Sequence, residues 1–284
     1  MLQRLLAGLA PVAALAMTGL AAGCGGVNVQ LGDDGVPLAE LDTSGAVPTE
    51  LVLAGPDTVT IVNGSGLEID VSGDQAAVDA LRFKLEDGSL GISRDKDSKG
   101  DIGTASVRVT MPSLRAMVLA GSGTVNAEQL TGDAEVTIAG SGSARAASVR
   151  ATKLDLTIAG SGDFEGAGEA ETLDLTIAGA GSGRMPGLKV ENADISVAGS
   201  GDAEFGSDGT VEARIMGSGN VTVNGSADCT ITAMGSGTLR CRGGTTRSGG
   251  ASGQPTPPEA PAGPQGPSGP TAPEPPAPPE GPAA

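Results

Sequence analysis

Five carboxylates recur at one place in a repeating chain: Glu135, Asp155, Asp174, Asp194 and Glu212 each stand five residues before a Gly-x-Gly triplet. On a strand that alternates its side chains all five point the same way, and stacked strands set them about 4.8 Å apart. Like charges at that spacing repel by about 0.9 kcal/mol even at water's dielectric. A Ca²⁺ ion between them would relieve the repulsion through oxygen ligands, which makes a calcium-dependent binding module one reading. The plainer reading is a solvated acidic face, and the calcium-binding nonapeptide G-G-x-G-x-D is absent. Two residues further along runs a row of Thr137, Thr157, Thr176, Ser196, Arg214 and Thr232, which ordinary strand preference on a wet face explains.

Other chemistry is thinner. The chain has no His, which removes Ser-His-Asp and Cys-His catalysis and the commonest ligand of catalytic zinc. A glycan-active enzyme would need converging acids with a basic residue or metal and sugar-stacking aromatics; Trp and Tyr are both missing. The Gly-x-Gly triplets could cradle phosphate through backbone N–H groups, yet no Lys-Ser/Thr follows any of them. A bend that requires positive φ explains them without a ligand. Cys229 and Cys241 occupy matching inward positions near the end of the repeat. In an oxidising compartment they could pair, closing a short loop worth about 3 kcal/mol, or they could be two small apolar fillers.

The elements that position these residues follow from the spacing of the triplets. These open at Gly121, Gly140, Gly160, Gly179, Gly199, Gly217 and Gly235, at intervals of 19, 20, 19, 20, 18 and 18 residues. A fixed period near 20 means a solenoid whose units bury apolar surface only against their neighbours. Six, four and two residues before each triplet from Gly140 onward are apolar positions, as in Leu154-Leu156-Ile158 and Leu173-Leu175-Ile177. That alternation is a strand with one buried face. A second, shorter alternation follows each triplet, including Phe164-Gly166, Met185-Gly187 and Ala203-Phe205, where large and small residues balance a narrow lumen. The expected fold is all-β: a right-handed parallel β-helix with rungs of about 18–20 residues and two strands per rung. Seven rungs make a rod about 30 Å long.

The ends differ in composition. Residues 1–23 carry Arg4, an apolar run and small residues before Cys24, the pattern of an export signal. Residues 24–50 read as a tether, 51–242 as the β-helix, and 243–284 as a disordered tail rich in Pro, Gly and Ala. The last rung places Arg240, Arg242 and Arg247 at an open strand edge; edge protection is the first reading and a basic docking site the alternative. A net charge of −17 argues against nucleic-acid partners and leaves an envelope glycan or protein as the expected one.

Two resemblances extend this reading. Leu20-Ala21-Ala22-Gly23-Cys24 resembles the lipobox of bacterial lipoproteins, with Ala21 where Leu is commonest. It implies diacylglycerol on the Cys24 thiol, cleavage before Cys24, and anchoring through acyl chains. The site is then the outer membrane in a two-membrane cell and the cell surface otherwise. LVLAGPDTVTIVNGSGLEIDVSGD, LRFKLEDGSLGI and VRVTMPSLRAMVLAGSGTV, followed by AGSG rungs, resemble the head GIN domain family, described as auto-transporter adhesins of unknown function. That resemblance covers about Leu51 to Arg242 and implies an envelope-exposed β-helix of structural or adhesive role. It supplies no catalytic residues.

Overall fold

The computed structural model describes residues 35–248 apart from 46 and 99. The export signal, Cys24 and the Pro-rich tail lie outside the described residues. The strands in chain order begin with β1 (Glu50–Ala54), β2 (Thr58–Asn63) and β3 (Glu68–Gly73). After helix α1 (Gln75–Ala80) come β4 (Leu81–Glu86), β5 (Ser89–Arg94) and β6 (Ala105–Met111). The repeats follow as β7 (Ala116–Gly121), β8 (Thr124–Gly140), β9 (Ser143–Gly160), β10 (Asp163–Gly179), β11 (Ser182–Gly199) and β12 (Asp202–Gly217). The stack closes with β13 (Asn220–Asn224), β14 (Asp228–Gly235), β15 (Thr238–Arg242) and β16 (Thr245–Ser248).

From β7 onward every ladder is parallel and joins a strand to its counterpart in the next rung, the arrangement of a parallel β-solenoid. The corner explains the period. Gly121, Gly140, Gly160, Gly179, Gly199, Gly217 and Gly235 all hold φ between 121° and 130°, a region that L side chains avoid. A Cβ on Gly160 would also collide with the carbonyl oxygen of Gly140 one rung below. That oxygen accepts the Ser161 N–H at 2.8 Å, so each corner is hydrogen-bonded to the one beneath it. Glycine is needed here because the backbones stack directly on each other.

The lumen is filled in the expected alternation. Leu154, Leu156 and Ile158 are buried, as are their counterparts Leu173, Leu175, Ile177 and Ala193, Ile195, Val197. Phe164, Met185 and Phe205 are fully buried. Phe164 stacks in register with Ala144 and Gly183, and its ring lies 2.9 Å from where a Cβ on Gly166 would stand. Large side chains thus use the space that glycines leave.

The structure differs from the two-strand rung in having a third inward side. Leu130, Val149 and Leu188 are buried there, with Ala151, Ala170 and Val190 beside them. Ladder register slips on this side, between Gly166 and Gly168 and between Met185 and Lys189. These bulges absorb changes in rung length, from 20 to 19 residues at the first and from 20 to 18 at the second, which is why strict alternation fails there.

The amino-terminal end is built out of chain order. β1 lies between β7 and the later strand β5, and β2 lies between β8 and the later strand β6. β4 and β3 then close the stack as antiparallel edge strands on β5 and β6. Gly55-Pro56-Asp57 takes the place of the Gly-x-Gly triplet, with Gly55 at φ 143°. Asp57, fully buried, accepts from Arg94 Nε at 2.8 Å, from the Arg94 guanidinium again at 2.7 Å and from the Ala105 N–H at 2.8 Å. One side chain therefore fastens the corner of β1–β2 to the connection between β5 and β6.

Two boundaries shift. Residues 35–41, expected within the tether, already pack: Val36 exchanges backbone hydrogen bonds with Phe83 on β4, and Leu38–Glu40 forms a 3₁₀ turn. At the other end β16 pairs with β14, so the stack extends past residue 242, where the tail was expected to begin. The free edge of β14 supplies the hydrogen bonds that make this short strand.

Candidate functional surface

The flat side formed by the strands before each corner carries three outward columns. Glu135, Asp155, Asp174, Asp194 and Glu212 are consecutive register partners, as the spacing predicts. Beside them run Thr137, Thr157, Thr176, Ser196, Arg214 and Thr232. Next to the corner comes an apolar column of Ala139, Ala159, Ala178, Ala198, Met216 and Met234. The two methionines are 54% and 63% exposed, which makes them the most prominent apolar groups on the described surface.

The acids are relieved by cations of the chain itself. Lys153 Nζ lies 2.7 Å from Asp174 and 3.0 Å from Asp155, and those two carboxylates raise its pKa. Arg214, from the Thr row, reaches Asp194 at 2.7 Å and Glu212 at 3.2 Å. Each pair is exposed, so solvent screening leaves it little net worth. Among the described residues no three carboxylates, Cys or His converge as a metal site. The calcium reading drew on unrelieved repulsion along the column, and Lys153 and Arg214 relieve it from Asp155 to Glu212. Glu135 alone keeps an uncomfortable environment: half-burial, then the charges of Asp155 and Glu50, push its carboxyl above the ordinary value.

A second feature was not legible in the sequence. The rung from Gly179 to Gly199 is two residues longer than the next one, so Pro186 and Gly187 stand proud of Gly206–Gly209. The step opens a groove of about 1570 Å³ along the third side, with Arg150, Glu169, Lys189, Glu191 and Asp208 on its walls. Asp208 accepts the Ser226 N–H and hydroxyl, both at 2.8 Å, which lowers its pKa. The only advance signal was the drop in period from 20 to 18.

Cys229 and Cys241 meet across the lumen as a disulfide, with Cα atoms 6.6 Å apart. It ties β14 to β15 in the last full rung. Cys24 lies outside the described residues.

The stacked rungs, packed lumen and repetitive flank define a parallel β-solenoid. Residues 48–227 match the model of the family described as "Putative auto-transporter adhesin, head GIN domain", and the chain belongs to that family. No curated protein matches the chain in sequence. A solved structure described as a putative adhesin from Bacteroides fragilis is similar at a TM-score of 0.65 and 21% identity, covering 69% of this chain and 93% of that one. One from Parabacteroides merdae, with the same description, is similar at 0.56 and 20%, covering 69% and 92%. A protein of Parabacteroides distasonis, described as a putative lipid binding protein, is similar at 0.55 and 20%, covering 69% and 93%. At these identities the likeness establishes the shared fold.

Proposed function

We propose that the protein is a non-catalytic adhesive lipoprotein of the bacterial envelope, held by acyl chains on Cys24 and making contact through the flat flank of the solenoid. The observation that carries the reading is the flank itself: acidic and apolar columns in register over five rungs, with a hydroxyl column between them that Arg214 interrupts at the fifth. Such a surface repeats one small motif many times, which favours multivalent contact with a glycan or protein that also repeats. The family description supports adhesion, and an oxidising envelope suits a disulfide between Cys229 and Cys241. A second reading places the ligand in the side groove; its mixed charges favour it, and lipid is the ligand class that the Parabacteroides distasonis neighbour's description supplies.

The anchoring half is tested by fractionating cells that produce the parent chain or Cys24→Ser. The parent is expected in the membrane fraction and the variant in the soluble one. Equal membrane recovery of both would remove lipidation from the account.

A further inference from the structure

The two ends of the solenoid carry complementary strand edges on the same side. The side formed by the strands that follow each corner runs β3, β6, β2, then β8 to β13 and finally β15. Among the described residues β3 pairs only with β6, and β15 only with β13, so each has one unpaired edge. Near these ends the apolar filling is incompletely covered: Leu67, Ile69 and Val71 at one, Ile231 and Cys241 at the other, are only partly buried. An uncovered edge with apolar side chains behind it is a template for another strand.

The side chains of these edges match in one register. β15 reads Thr238, Leu239, Arg240, Cys241, Arg242, with the two arginines outward and exposed. β3 reads Glu68, Ile69, Asp70, Val71, Ser72, with the two acids outward and exposed. Set antiparallel, Arg240 faces Asp70, Arg242 faces Glu68, Leu239 faces Val71, Cys241 faces Ile69 and Thr238 faces Ser72. Cations meet anions at two positions, apolar residues meet apolar residues at two, and two hydroxyls meet at the fifth.

The outward column to which Arg240 belongs already alternates in this way. It runs Arg145, Glu165, Arg184, Glu204, Thr222, Arg240 up the stack, with Arg145 and Glu165 in contact at 3.2 Å. Asp70 begins the same column at the other end, opposite Arg108. Joining Arg240 to Asp70 continues the alternation from one molecule into the next.

We infer that this chain associates head to tail with second copies of itself, β15 of one pairing antiparallel with β3 of the next. Self-pairing of like ends is disfavoured, because β15 on β15 or β3 on β3 sets like charges opposite each other. The chain beyond residue 248 is a poor substitute for the partner strand: Pro recurs through it from Pro255 onward, and proline supplies no ladder N–H. β16 and the Val36 segment each reach one level further on the neighbouring side. The rods therefore meet at an angle about the β15–β3 seam. The contact is heterologous and generates open chains of molecules.

Sedimentation velocity of the purified full chain in detergent tests this, comparing the parent with Arg240→Asp/Arg242→Glu and with Glu68→Arg/Asp70→Arg. The parent is expected to form concentration-dependent oligomers that dissociate at about 0.5 M salt, where screening is strong. Each end-reversed variant alone is expected to remain monomeric, and an equimolar mixture of the two to assemble again. All four positions are exposed, and matched thermal melts check that the fold is intact. A monomeric parent, assembly by either variant alone, or failure of the mixture to assemble would overturn the inference; association through a different partner protein gives the first of these outcomes.

Discussion

At the residue scale, the acidic column shows how neighbours decide what a repeated charge does. Spacing alone identified Glu135, Asp155, Asp174, Asp194 and Glu212, because position modulo the triplet is readable in the chain. Their partners in the next rung were not readable, because Lys153 reaches Asp174 and Arg214 reaches Asp194 by side-chain rotamers across rungs. Glu135 has a folded-state pKa above its ordinary value, through burial first and then Asp155 and Glu50. The folded protein therefore binds that proton more readily than the unfolded chain, and this group's penalty is relieved as pH falls through its folded-state value. Glu135→Gln is expected to melt at a higher temperature than the parent at pH 7, with the difference fading towards about pH 4. Scanning calorimetry at the two pH values reads this, and a variant less stable at pH 7 would contradict it.

At the element scale, the corner is the part of the fold that the sequence states most openly. Positive φ and stacked backbones both demand glycine, so one residue type marks every bend. Gly160→Ala is expected to cost about 3 kcal/mol, from a strained φ and a clash with the Gly140 carbonyl below. Ser161→Ala, whose backbone N–H makes the corner bond, should change stability little. Urea unfolding of the two variants separates these effects, and equal midpoints would mean that the corner is not under constraint. The third side was illegible for the opposite reason: bulges shift its register between rungs, so no fixed period survives there. The inverted order of β1 and β5 was hidden too. Its one trace is Asp57, standing where a triplet has its second glycine and buried against Arg94.

At the scale of the whole molecule, a solenoid turns a short motif into an extended surface. Its period and all-β class were readable because each rung solves the same packing problem. The ends were less readable, since a cap meets a different problem from a rung: it must finish a lumen and hide a strand edge. At one end the Val36 segment covers β4, while β3 there and β15 at the other end each keep an unpaired edge among the described residues. Between the ends, the proposed adhesive flank would act through repeated weak contacts whose sum is strong only if the register is kept.

The most direct measurement of this account is binding of the purified full chain to intact cells of the producing species. The parent is compared with a chain carrying Glu135→Gln, Asp155→Asn, Asp174→Asn, Asp194→Asn and Glu212→Gln together. A control carries neutral substitutions of Glu169, Glu191 and Asp208 in the groove. Saturable binding is expected for the parent and the groove variant, and loss of binding for the flank variant with its melting curve intact. Undiminished binding by the flank variant, with loss in the groove variant, would contradict it and move the adhesive site to the groove.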